Sequence, residues 1–185
     1  HLDKSFRGRL TKLYSDQIKN DSSVLDLMSS WVSHLPNNIQ YQNVTAHGLN
    51  EEELASNKQV NDYWVQDLNK SQVLPFADNT FDYCLISAGW QYLQEPENIA
   101  LEIKRILKIN GKLLISFSNR AFWQKSPLVW VENTDQGRLD YISDILVSQG
   151  WKKPNQIKEK TYSDSIIPFY KMQGDPFFSL IAINS

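Results

Sequence analysis

Several short apolar runs restrict this chain more than any other feature, because each is too brief for a helix and leaves no room for polar alternation. Residues 23–27 (SVLDL), 83–87 (YCLIS) and 112–117 (KLLISF) are of this kind. Such runs suit strands covered on both faces, as in a parallel sheet. Two weaker strand candidates lie at 42–46 and 63–68 (YWVQDL). Between these segments the period changes. Leu2, Phe6, Leu10, Leu13 and Ile18 recur at helical spacing, as do Ile99, Leu101, Ile103, Ile106 and Leu107 within 96–107. The latter run is expected to stop at Asn110-Gly111, and a third helix is expected over 138–148, ending before Gly150. Asn50 followed by Glu51, Glu52 and Glu53 reads as a capped helix start whose carboxylates suit the dipole and face solvent. Residues 31–35 look helical up to Pro36.

Strands alternating with helices imply an α/β fold, a doubly wound and mostly parallel sheet. The last third departs from that order. Residues 156–162 and 177–183 read as two strands without an intervening helix, which predicts an antiparallel C-terminal hairpin at the sheet edge. A chain of 185 residues with 41% hydrophobic content can bury one core, so one domain is expected over 1–185. Its parts would be an N-terminal helix or lid (1–20), a core (21–120) and a C-terminal helix with hairpin (121–185).

Composition narrows the functional classes. A net charge of -2 gives no general attraction to phosphate backbones, so nucleic acid is not an expected partner. No run of about 18 apolar residues suggests a membrane helix, and a cytoplasmic location is the expectation. A single cysteine, Cys84, excludes an internal disulfide, and it reads as a buried thiol inside a strand. His1, His34 and His47 lack the spacing of metal ligands, so no metal is expected. His34 reads as a structural donor or a base near substrate. The chain is expected to be a monomer or weak homodimer.

Three segments carry a resemblance. VLDL at 24–27, LPFADNTFDYCLI at 74–86 and EIKRILKINGKLLIS at 102–116 are similar in content and order to segments of the class I S-adenosylmethionine-dependent methyltransferases, and most of all to their type 11 group. The resemblance implies a Rossmann-like sheet with S-adenosylmethionine lying across the carboxyl ends of the first strands. It also assigns residues. Asp26 falls where the family supports the amino-acid end of the cofactor. Met28, Ser29 and Ser30 open the loop that in the family reads G-x-G-x-G, and all three glycine positions within 28–32 are replaced here. Gly48 stands where the family places its ribose-binding acid, with Leu49 and Asn50 beside it. Asp67 and Leu68 match the adenine contacts, and Ser87 lies past the fourth strand near the expected sulfonium. Trp90, Gln91, Asn119 and Arg120 are the candidates nearest substrate, Arg120 having the alternative of a surface cation near Glu132.

The implied activity is methyl transfer to a small molecule. In-line displacement depends on alignment, so no catalytic base is assigned. The alternative is a binding or interaction protein that keeps the fold without the reaction, since the departures fall on the cofactor loop and spare the scaffold.

Overall fold

The alternation of buried runs and helical periods is realised as one seven-stranded sheet with helices on both faces, in a computed structural model that describes residues 2–164 and 171–185. His1 lies outside the described residues. In chain order the elements are α1 (Lys4–Gln17), β1 (Ser22–Leu27), β2 (Tyr41–Gly48), α2 (Glu51–Ala55), β3 (Asp62–Val65), β4 (Phe81–Ser87), α3 (Pro96–Ile106), β5 (Leu107–Phe117), α4 (Leu128–Val131), α5 (Asp135–Ser148), β6 (Asn155–Glu159), β7 (Tyr162–Asp164), β8 (Lys171–Gln173) and β9 (Phe177–Ile183). The sheet order is β3-β2-β1-β4-β5-β9-β6. Strands β1 to β5 are mutually parallel, and β9 runs antiparallel to both β5 and β6. The doubly wound sheet and the reversed edge hairpin therefore stand as expected.

Period-two alternation divides the core between the two faces. Leu25, Leu27, Cys84, Ile86, Leu113 and Ile115 meet Ile99, Ile103 and Ile106 of α3 and Leu139, Ile142 and Leu146 of α5. Val24, Leu85 and Leu114 point the other way, against Phe6, Leu10, Leu13 and Tyr14 of α1. Because β1 and β4 are covered on both sides, neither has a solvent face for polar residues to occupy. This is the physical origin of the mostly apolar runs at 24–27 and 83–86.

The motif residues Asp82, Glu102 and Arg105 are braces. Arg105 donates to Glu102, to Asp78 and to the carbonyls of Leu74 and Phe76, while Glu102 accepts the amide of Leu74 at 2.8 Å. Asp82 receives the Ser23 amide and pairs with Lys108 at 3.0 Å, joining the starts of β1 and β5 through β4. Arg105→Ala removes the shared partner of two carbonyls and two carboxylates. The guanidinium is part-exposed, so the expected loss is about 1–2 kcal/mol, read as a lower denaturation midpoint at unchanged m-value.

Four local expectations are corrected. Residues 31–35 form no helix, and the whole crossover from β1 to β2 is a loop. Side chains from elsewhere hold its carbonyls: Asn57 donates to Ser30, Gln59 to Leu35 and Thr11 to His34, whose φ of +56° is incompatible with a right-handed helix. Asn110-Gly111 does not end α3. The chain passes from Ile106 straight into β5, and Asn110, at φ +65°, makes a bend within that strand. β3 stops at Val65, where the Gln66 side chain turns to the carbonyls of Ser71 and Val73. The run 156–162 is two strands, because β6 ends at Glu159 and Tyr162 starts a small hairpin with β8.

Candidate functional site

At the carboxyl ends of the strands, the connections from the neighbouring β1 and β4 run to opposite sides, β1 to β2 and β4 to β5, and a cleft opens there. It has two halves. The larger, of ≈ 670 Å³, is lined by Met28, Ser29, Gly48, Leu49, Asn50, Asp67 and Leu68 together with His47, Glu53, Gln66 and Tyr92. The smaller, of ≈ 400 Å³, is lined by Asp26, Met28, Ser29, Ser30 and Ser87 with Arg7, Ser33 and His34. All ten candidate cofactor residues thus line one half or the other. Met28, Ser29, Ala88 and Phe122 line both.

Local forces place these groups. Met28 keeps a φ of +61°, the left-handed conformation that the family's glycine serves, although it carries a side chain. Its amide donates to Nδ1 of His47 at 3.1 Å, and the Ser29 amide donates to the His47 carbonyl at 2.6 Å. His47 Nε2 lies 2.8 Å from the Gln66 carbonyl, so the ring is the neutral Nε2–H tautomer, accepting at one nitrogen and donating at the other. Burial holds its pKa below the usual histidine value, which preserves that state. His47 therefore joins the ends of β1, β2 and β3, a role its sequence position did not disclose.

Asp26 is buried, and burial pushes its pKa up to about 6 against the opposing hydrogen bonds of Ser29 and Ser33. Ser29 Oγ donates to its Oδ2 at 2.6 Å. Burial and the nearby Arg7 lower the pKa of His34. Asp67 accepts the Asn69 amide on one oxygen, and its other oxygen lies 3.7 Å from Lys70. Asn50 caps α2 as expected, accepting the amides of Glu52 and Glu53.

Glu53 departs from the expectation of a solvated helix start. It lines the larger half, with Oε2 accepting from Ser30 at 2.5 Å and Oε1 near Asn50 Nδ2 at 3.3 Å. The position where the family's ribose acid is expected has no room for a side chain: a Cβ on Gly48 would come within 2.8 Å of the Ser29 carbonyl. A carboxylate reaches the same compartment from the first turn of α2 instead. The signal in the sequence was an acidic run directly after a strand ending in glycine.

None of the four substrate candidates lines either half of the cleft. Trp90 is 1% exposed and belongs to the core beneath it, and Gln91 is equally buried. The short turn they occupy points them inward and carries Tyr92 to the cleft wall. Arg120 pairs with Asp175 at 2.6 Å, rather than with Glu132, and Asp175 and Asp3, at the cap of α1, each donate a backbone amide to the other's side-chain carboxylate. Asn119 sits beside it on the surface. The residues of that loop that reach the cleft are Gln124, Lys125 and Phe122, the last 70% exposed with its amide donating to the Tyr92 hydroxyl.

Cys84 is a free, buried thiol whose pKa burial raises, as its strand position implied. Among the described residues no three His, Cys, Asp or Glu side chains gather as a metal site, and no helix is long and apolar enough to cross a membrane.

Comparison with known proteins agrees with this geometry. Residues 28–115 match the methyltransferase domain family. Over 50 residues, 26% of this chain and 21% of the other, the chain is 44% identical to the demethylmenaquinone methyltransferase of Renibacterium salmoninarum. Its matches span 25% or less of the length of such curated relatives. Among solved structures, a chain from the complex between the Haloferax volcanii Trm112 methyltransferase activator and its methyltransferase superposes with a TM-score of 0.72 at 14% identity, covering 98% of this chain and 90% of that one. The SAM-dependent methyltransferase of Aquifex aeolicus gives 0.66 at 18% identity, covering 97% and 89%. The strand order, the cleft at the carboxyl ends of the strands and the superposed structures thus agree on the class I methyltransferase fold, and residues 28–115 of the chain match the methyltransferase domain family.

Proposed function

We propose that the cleft binds S-adenosylmethionine and that the domain transfers its methyl group to a small, largely apolar molecule. The observation that carries the reading is the meeting of two carboxylates, Glu53 and Asp67, with the bare backbone of Gly48 in one ≈ 670 Å³ compartment at the switch point of the sheet. That volume is of the size that holds a nucleoside-bearing ligand.

Each residue has a role in this reading. Asp67 accepts from the adenine amino group, and Leu68 supplies apolar wall. Glu53, in place of an acid at position 48, accepts from the ribose hydroxyls. Asp26, with Ser29 and Ser30, receives the ammonium of the amino-acid arm, and Arg7 adds a cation for its carboxylate. When bound, the cofactor supplies an activated methyl group, so the protein's contribution is alignment and exclusion of water. The acceptor would approach over Ser87 and Ala88, under Phe122. The exposed rings and branched side chains around the mouth, Trp31, Val32 and Phe122, suit an apolar body.

Calorimetric titration with S-adenosylhomocysteine tests this without knowledge of the acceptor. Micromolar binding is expected, and Asp67→Ala should weaken it about tenfold, about 1.4 kcal/mol. Unchanged affinity in that variant would remove the adenine from Asp67. No heat at millimolar ligand would remove the cofactor altogether. That result would favour the second reading, a domain that keeps the fold as a binding module; the absence of a helix after β1 favours it, since no helix N-terminus then faces the cofactor's carboxylate.

A further inference from the structure

The two halves of the cleft meet at Met28, which replaces the first glycine of the family's loop. Its backbone stays in the left-handed region at φ +61° and its amide is fixed by His47, so the gain is a side chain on an otherwise retained backbone. That side chain lies against Gly89. A Cβ at 89 would stand 2.8 Å from Met28 Cβ and 3.0 Å from its sulfur, so the glycine is what admits the thioether. With Ala88 and Phe122, Met28 forms the ridge common to both halves. On one side are the carboxylates of Glu53 and Asp67, and on the other are Asp26, Arg7 and the serine hydroxyls. A ligand with both a nucleoside and an amino-acid arm must cross this ridge. Methionine is unbranched, with three rotatable bonds, so the obstacle can swing without moving the loop.

We infer that Met28 determines which ligands the cleft admits: folded onto Gly89 it leaves a compartment for an adenine nucleoside without an amino-acid arm, and only when displaced does it admit a complete S-adenosyl amino acid. The inference rests on the cofactor reading above. Methionine at this position therefore removes the advantage that the arm's charged ends would otherwise give, because displacing the thioether consumes part of their binding energy.

The test is calorimetry on the wild-type protein, Met28→Gly and Met28→Ala, each with adenosine and with S-adenosylhomocysteine. The wild type should bind the two ligands within about threefold of each other, and both variants should tighten S-adenosylhomocysteine about tenfold while adenosine changes less than about twofold. Alanine keeps a Cβ and removes only the thioether, so it covers the case in which glycine loosens the loop. A second readout uses the fact that the chain has only two methionines, Met28 and Met172. With 13C-methyl methionine, S-adenosylhomocysteine should shift the Met28 methyl resonance strongly and adenosine only weakly. A wild type that prefers S-adenosylhomocysteine by about a hundredfold, or variants that leave the ratio unchanged, would overturn the role of Met28. Adenosine binding alone in all three proteins would also overturn it while leaving the nucleoside half standing. Failure of both ligands with all three would overturn it together with the cofactor reading.

Discussion

Asp26→Asn is expected to stabilise the protein at pH 8 by about 3 kcal/mol, from a carboxyl whose pKa is raised from 3.8 to about 6 by burial. The folded state holds this proton more tightly than the unfolded state does. Stability therefore falls as pH rises from about 4 to 6 and stays reduced above that range. Asparagine does not titrate and can still accept from Ser29 Oγ, so the variant escapes the cost of an ionised carboxylate in the core. The advantage should shrink to about half at pH 5, where the wild-type group is mostly protonated. Denaturant titrations of both proteins at the two pH values measure the difference directly, and contributions from His34 and His47 cancel between them. An advantage independent of pH would mean that Asp26 titrates normally. The same change should weaken S-adenosylhomocysteine, since the proposed partner of the ammonium is gone. A carboxylate kept at such a cost is what a ligand-binding role would explain.

Gly48→Asp is expected to destabilise by about 2–3 kcal/mol, even though it installs the acid that the family places at this position. The new Cβ would meet the Ser29 carbonyl at 2.8 Å and Leu54 at 3.2 Å. The loop cannot retreat cheaply, because the amides of Met28 and Ser29 are both tied to His47. Glu53→Gln should behave in the opposite way. It is part-exposed on the first turn of α2, so stability should change by less than about 1 kcal/mol, while adenosine binding should weaken about tenfold as the proposed ribose acceptor loses its charge. Thermal melts with adenosine titrations of both variants separate the two effects. A stable Gly48→Asp protein with tighter nucleoside binding would show that the acid belongs on the strand and that Glu53 is not its replacement.

The scaffold was legible for a definite reason. In β1, β4 and β5 burial on both faces forces short, mostly apolar runs at 24–27, 83–86 and 113–117, and in α3 the spacing of Ile99, Ile103 and Ile106 follows from one face packing on the sheet. Those are local demands, and local sequence reports them. The loop at 31–35 was misread because its conformation is set by Asn57, Gln59 and Thr11, which are remote in sequence and satisfy its carbonyls from outside. Trp90 and Gln91 were placed at the substrate for a related reason: position after β4 locates a residue near the cleft, but the direction of a side chain in a short turn depends on what packs around it.

The sequence by itself determined the parallel sheet, its reversed hairpin, and the set of positions that gather at the carboxyl ends of its strands. Backbone period and burial are properties that consecutive residues must share. Only the tertiary structure decided that Gly48 has no space for an acid, that Glu53 reaches the compartment in its stead, that His47 links three strands through a neutral ring, and that Met28 lies across the cleft against Gly89. Each of these depends on a contact between residues distant in the chain, where the spacing is fixed by packing and leaves no period in the sequence.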